Sequence, residues 1–170
     1  METALVLVLE DSAPFDAVRR DFAVSQVVRG IPFHITLLYP FAPREQLSES
    51  LLADLGSFFA GQKPFEFTLE RIETFPAVVY AAPEPSSPLR DCTDAIHARF
   101  PGWPPYDGAF AEVVPHATLG EDVDVAAVRP EIERRLAGEL PRRYSIATAT
   151  LLEEFEPDRW RERERFRLGG

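Results

Sequence analysis

The chain has 170 residues, 45% hydrophobic and 27% charged, with a formal net charge of −10 and one cysteine, Cys92; this size buries a core without a staple, and one thiol excludes an intrachain disulfide or cysteine-based metal cluster. Nucleic-acid affinity rests on cations displacing counterions, so the acidic excess argues against long DNA or duplex RNA as a partner. No apolar stretch approaches the roughly 20 residues that span a bilayer, and Met1–Glu10 has no basic leader or small-residue cleavage site, so a soluble, cytoplasmic protein is expected, in keeping with a lone cysteine.

The β-rich run Ala4–Glu10 predicts a strand. Apolar residues at Phe15, Val18, Phe22 and Val27 predict a helix over Pro14–Val28, ended by Gly30. Phe33–Tyr39 reads as a strand, and Pro43–Ala60 as a helix carrying Leu47, Leu51, Leu52, Leu55, Phe58 and Phe59 at helical spacing. Phe65–Phe75 and Val78–Ala82 read as strands about a turn at Pro76. The loop Pro83–Pro88 leads into a helix over Pro88–Phe100, capped by Ser86 or Ser87. Pro101–Gly108 is too rich in proline and glycine for regular structure. Phe110–Leu119 predicts a strand interrupted by Pro115, and Val125–Leu140 a helix whose main body starts at Pro130. Tyr144–Phe155 and Trp160–Leu168 predict a closing antiparallel pair.

This order repeats weakly. Strand, helix, strand, helix, strand fills residues 4–75 and again 78–155, followed by one extra strand. The pattern predicts an α+β fold of one domain, 1–170, with a first lobe of about 1–76 and a second of about 77–170. Two antiparallel-rich sheets with flanking helices are expected, related by a pseudo-two-fold around a central cleft.

The echo carries chemistry at "HITLL" (34–38) and "HATLG" (116–120), each reading His, any residue, Thr, Leu. Residues two apart on a strand share a face, so His34 and Thr36 project together, with Ile35, Leu37 and Tyr39 behind them. His116 and Thr118 do the same, with Ala117 and Leu119 behind. If the two faces meet across a cleft, two imidazoles and two hydroxyls surround one small volume. A neutral imidazole can take a proton from an attacking hydroxyl or water while a protonated one supplies the leaving oxygen, since the unperturbed pKa of about 6.5 suits both tasks. The hydroxyls of Thr36 and Thr118 can donate to non-bridging phosphate oxygens. One such motif alone reads better as an ordinary core or surface histidine. Two copies, using two of the three histidines at matching places in each half, point to a site.

With "HITLLYPF" (34–41) and "HATLG" in place, the sequence resembles the 2H phosphoesterase superfamily, in particular its 2′-5′ RNA ligase and cyclic phosphodiesterase group. The resemblance covers nearly the whole chain. It implies that His34 and His116 are the acid–base pair and Thr36 and Thr118 the phosphate ligands, acting without metal or other cofactor. The implied reaction is hydrolysis of a 2′,3′-cyclic phosphate, a related cyclic phosphodiester or a 2′-5′ linkage. Its substrate is a small cyclic-phosphate nucleotide or an RNA terminus, and the enzyme is expected to act as a monomer. A non-catalytic module binding nucleotides or RNA ends in the same cleft is the alternative. Family members that act on RNA often carry a basic residue after the second motif, where this chain has Glu121 and Asp122.

Other features read more plainly. Phe41, Trp103 and Tyr106 are candidates to stack on a base, although aromatics beside prolines commonly pack their own loop. His97 is expected to be solvated and inert. Arg159, Arg161, Arg163, Arg165 and Arg167 alternate along one face of a last strand, best read as a charged edge that resists pairing. Glu121–Asp124 suits the positive start of the helix that follows better than a metal site.

Overall fold

The computed structural model describes residues 1–110 and 112–169. Eight strands form one antiparallel sheet in the order β6-β3-β4-β5-β2-β1-β7-β8. They are β1 (Thr3–Val8), β2 (His34–Leu38), β3 (Phe65–Phe75), β4 (Val78–Glu84), β5 (Ala117–Glu121), β6 (Arg142–Ile146), β7 (Thr148–Glu156) and β8 (Arg159–Arg167). Five helices connect them: α1 (Ala13–Phe22), α2 (Val24–Val28), α3 (Glu49–Ala60), α4 (Ser87–Arg99) and α5 (Val125–Arg135). The fold is α+β, as expected. Among the described residues no helix is long and apolar enough to cross a membrane.

The sheet divides into two halves of four strands. They meet where β2 pairs with β5, at the single register pair Ile35 and Ala117. Strands cross between the sequence halves: β3 of the first pairs with β4 of the second, and β7 of the second with β1 of the first. The run Tyr144–Phe155, expected as one strand, is therefore two strands, broken at Ala147. Its first part pairs with β3 at one edge, and its second with β1 toward the other. Ile146 and Thr148 can lie at most about 7.6 Å apart, since consecutive Cα atoms are about 3.8 Å apart. Six strand spacings in a flat sheet would separate their strands by about 29 Å. The sheet must curl to bring them together.

One face of the sheet is covered by helices. Leu5, Leu7, Phe33, Ile35, Leu37, Ala117 and Leu119 pack there with Phe15, Val18, Leu55, Phe59, Ile96 and Ile132 in the main core. On the open face a smaller cluster joins Ala4, Val6, Leu152 and Trp160, with Val8, Ile31 and Tyr39 against it.

Local chemistry explains where the helices depart from expectation. The helix expected over 14–28 breaks at buried Ala23 (φ −127°, ψ 48°), which redirects α2. Gly30 then turns the chain at φ +82°, where a Cβ would stand 2.8 Å from the Trp160 carbonyl oxygen. The helix expected from Pro43 begins later. Pro43 is extended, a 3₁₀ turn covers Arg44–Gln46, and Ser48 supplies the cap that starts α3 by accepting from Leu51 N–H. The last helix runs only over Val125–Arg135, with Pro130 inside it and Asp124 capping Ala126 and Ala127. The strand expected over 110–119 is confined to Ala117–Glu121.

Candidate active site

The two motifs lie side by side on neighbouring strands, where the sequence suggested faces meeting across a gap. Ile35 and Ala117 are paired and fully buried on the helix side. An antiparallel register through that pair sets His34 across from Thr118 and Thr36 across from His116. Diagonal neighbours in such a ladder have Cβ atoms about 7–8 Å apart, which places both imidazoles within reach of one small anion. His34, Thr36, His116 and Thr118 are all half-buried.

Each motif also carries a β-bulge at the same place. Thr36 pairs with Val6 and Leu38 with Leu5, leaving Leu37 as the extra residue. Thr118 pairs with Tyr80 and Gly120 with Val79, leaving Leu119 as the extra residue. A bulge resets the alternation of faces. Leu38 joins Leu37 in the main core, and Tyr39 returns to the motif face within the smaller cluster. A Cβ on Gly120 would meet Phe22 and Ile132 on the helix side. Glu121 pairs with Val78, a cavity-lining residue, so it too projects to the open face. Strict alternation, which puts Tyr39 behind the sheet, fails because of the bulge.

Both imidazoles are oriented by the same device. Nδ1 of His34 lies 2.7 Å from the Pro32 carbonyl oxygen, and Nδ1 of His116 lies 2.8 Å from that of Val114. A carbonyl only accepts, so each Nδ1 carries the proton and donates, and in the neutral ring Nε2 keeps its lone pair. The His116 ring packs edge-on against Phe75 and Tyr80, with centroids 5.2 and 5.5 Å away. Burial pushes both histidines below their ordinary value. For His34 burial is opposed by the Pro32 carbonyl and reinforced by Arg19 and His116, while Glu121 opposes, and the pKa settles at about 4. For His116 burial outweighs the Val114 carbonyl.

Three residues around the pair have no counterpart in the sequence motif. Glu121 accepts from Ser25 Oγ at 2.5 Å and Gln26 Nε2 at 2.7 Å, fastening α2 to the end of β5. Arg19, only 2% exposed, donates to Asp16 and to the Ile31 carbonyl, each at 2.8 Å. Tyr39 donates through its hydroxyl to Glu2 at 2.6 Å. Reading each motif two residues further, with a bulge allowed for, would have found Tyr39 and Glu121. Arg19 left no signal, since one of two adjacent arginines in an amphipathic helix reads as solvated.

The proline-rich loop separates the three aromatic candidates. Phe41 is 2% exposed and packs on Phe100 and Trp103, so it anchors the loop and offers no ring to a base. Trp103 is half-buried in the same packing. Tyr106 stands at the site: its backbone N–H donates to the Tyr39 carbonyl at 2.6 Å, and its hydroxyl is close enough to Thr36 for that side chain to oppose the rise in its pKa that burial causes. Tyr106 and Asp107 hold positive φ, +49° and +53°, which turns the loop there. Tyr106 and His116 share the wall of a cavity of about 490 Å³ with Phe75, Val78 and Phe110.

The remaining candidates lie elsewhere. His97 is half-buried, and its Nδ1 has no hydrogen-bond partner. The arginines of β8 do not share one face, because the register shift opposite Leu151/Leu152 leaves Arg163 as an extra residue and inverts the alternation. Arg161 and Arg163 reach Glu153, whereas Arg165 reaches Glu162 and Glu10. Among the described residues no three or more His, Cys, Asp or Glu side chains gather to hold a metal ion.

A curled antiparallel sheet with a His-x-Thr strand at the inner edge of each half defines the class: a two-histidine phosphoesterase. The model of the 2′-5′ RNA ligase superfamily matches residues 7–157, and the chain belongs to that family. It is 26% identical over 144 residues to a provisionally named phosphoesterase of Geobacillus kaustophilus, covering 82% of this chain and 80% of the relative. A similarly named protein of Bacillus cereus is 26% identical over 142 residues, covering the same shares. The fold matches TT0787 of Thermus thermophilus (TM-score 0.63, 20% identity, 100% and 99% of the two chains). It also matches Escherichia coli LigT, solved with ATP (TM-score 0.60, 18% identity, 99% and 98%) and with 3′-AMP (TM-score 0.55, 17% identity, 98% and 96%). The chain is a phosphoesterase.

Proposed function

We propose that the chain hydrolyses a 2′,3′-cyclic phosphate, or a related cyclic phosphodiester or 2′-5′ linkage, on a small nucleotide or RNA end. The observation that carries this reading is the adjacent pair of His-x-Thr strands, with both Nδ1 atoms tied to backbone carbonyls and both Nε2 atoms left for chemistry. One Nε2 takes a proton from the attacking water, whose oxygen forms a new bond to phosphorus. The other imidazole, protonated, gives its proton to the departing oxygen as the old P–O bond breaks. Thr36 and Thr118 donate to the non-bridging oxygens and steady the charge they gain in the transition state. No metal is assigned a role. One domain suffices in this reading, with lobes of about 1–76 and 77–170 each supplying a motif, related by a pseudo-two-fold, and the protein acting as a monomer in the cytoplasm.

The depressed pKa values fit a site waiting for an anion. Burial keeps two neighbouring imidazoles neutral, and a phosphate held between them supplies the negative charge that lets one of them hold a proton. The LigT complexes with 3′-AMP and ATP support small nucleotides as ligands. The test is turnover of 2′,3′-cyclic nucleotides in EDTA by the chain and its His34→Ala and His116→Ala variants, with a loss of about 10²-fold or more expected in each. Tight nucleotide binding without turnover across cyclic mononucleotides, cyclic-ended oligonucleotides and 2′-5′ dinucleotides would favour a binding module.

A further inference from the structure

We infer that the cavity beside His116 takes one flat, uncharged and largely apolar group carried by the reacting phosphodiester. The inference rests on the phosphodiesterase reading and narrows its substrate. Phe75, Pro76, Val78, Phe110 and Val113 form much of the wall, and about 490 Å³ is within the range of small-molecule pockets. Phe110 is 63% exposed and Val114 44% exposed, two of the large hydrophobic side chains that the described chain leaves in water. Both border this cavity. Apolar surface gathered at the mouth of a cavity beside a reactive histidine is surface that a ligand covers.

Charge narrows the occupant further. No lysine or arginine is among the described residues lining the cavity, and its one acidic residue is Glu112, paired with Arg90 at 3.4 Å. A second phosphate here would meet a carboxylate, and the cation that carboxylate holds, Arg90, is not part of the cavity wall, so a further nucleotide is refused in this direction. Tyr106 joins the two subsites: it shares the cavity wall with His116 and its backbone N–H holds the Tyr39 carbonyl at the end of the first motif, while its ring lies 5.5 Å from that of Phe110, edge to face. The phosphate position ends where the aromatic wall begins. A nucleobase and a simple aryl group share the required chemistry, because both present a flat face to aromatic side chains.

Adenosine 2′,3′-cyclic phosphate, phenylethane-1,2-diol cyclic phosphate and glycerol 1,2-cyclic phosphate separate the possibilities. Either ring-bearing compound should exceed the glycerol compound at least tenfold in kcat/KM, and the better of the two names the source. Phe110→Ala should raise KM for the preferred ring-bearing compound at least fivefold more than for the glycerol compound, with Phe110→Trp restoring most of the difference. Equal treatment of all three compounds, or equal penalties from Phe110→Ala, would overturn the proposal. Calorimetric binding of 3′-AMP and of inorganic phosphate decides the matter even if nothing turns over. A loss on Phe110→Ala at least fivefold larger for 3′-AMP supports the pocket, and an equal loss refutes it.

Discussion

Each motif histidine spends its Nδ1 on a carbonyl two residues upstream, and burial then sets its proton affinity. His34 sits at about 4 in the folded chain, against about 6.5 for an unperturbed imidazole. The folded protein thus takes up that proton less readily than the unfolded chain. The stability gained by keeping His34 neutral is present above pH 6.5 and is lost as pH falls toward 4. Thermal unfolding of His34→Asn should show a shallower decline than the native chain across that window; parallel profiles would contradict the assignment. Inorganic phosphate should raise the pKa of both His34 and His116, because its negative charge favours imidazolium. Ring-proton NMR titrations with and without phosphate read this, and unchanged midpoints would show that the anion does not bind between the rings.

The twin bulges govern the site at the level of the strands. The carbonyl of the extra residue Leu37 accepts from the buried hydroxyl of Thr93 on α4 at 2.9 Å. Thr93→Val leaves that carbonyl without its partner and should cost about 1–3 kcal/mol in urea unfolding. It should also lower kcat/KM, since the bulge adjoins Thr36; full stability with full activity would remove the bulge from the account. The β7–β8 edge depends on charge. Glu153, 0% exposed, faces Arg44, Arg161 and Arg163 at 3.5, 2.7 and 3.5 Å. Glu153→Ala removes the buried acceptor of three part-exposed arginines, one of which donates to it, and should destabilise by about 1–3 kcal/mol, whereas Arg163→Ala should change little. The period-2 pattern at His34 and Thr36 was readable because it precedes the bulge. Tyr39, Glu121 and the faces of the β8 arginines were not, because one unpaired residue inverts every position after it.

Across the whole molecule, the β-rich runs and the order of helices were legible from composition and turn residues. The partners of each strand were not. Tyr144–Phe155 has unbroken strand character, and nothing local marks Ala147 as the point where the chain leaves one half of the sheet for the other. That crossing follows from pairing with β3 and β1, long-range partners that no window of sequence displays. Phe41 was misread for the same reason: its neighbours Phe100 and Trp103 come from a distant segment. The duplicated motif was legible because it is local in each copy, and the fold sets the copies on adjacent strands. The most direct test of that joint arrangement is the pH dependence of kcat/KM on adenosine 2′,3′-cyclic phosphate in EDTA, for the native chain and for His34→Ala and His116→Ala. A bell-shaped profile that collapses by about 10²-fold or more in both variants is the expected result; native-like activity in either variant would contradict a site built from two histidines.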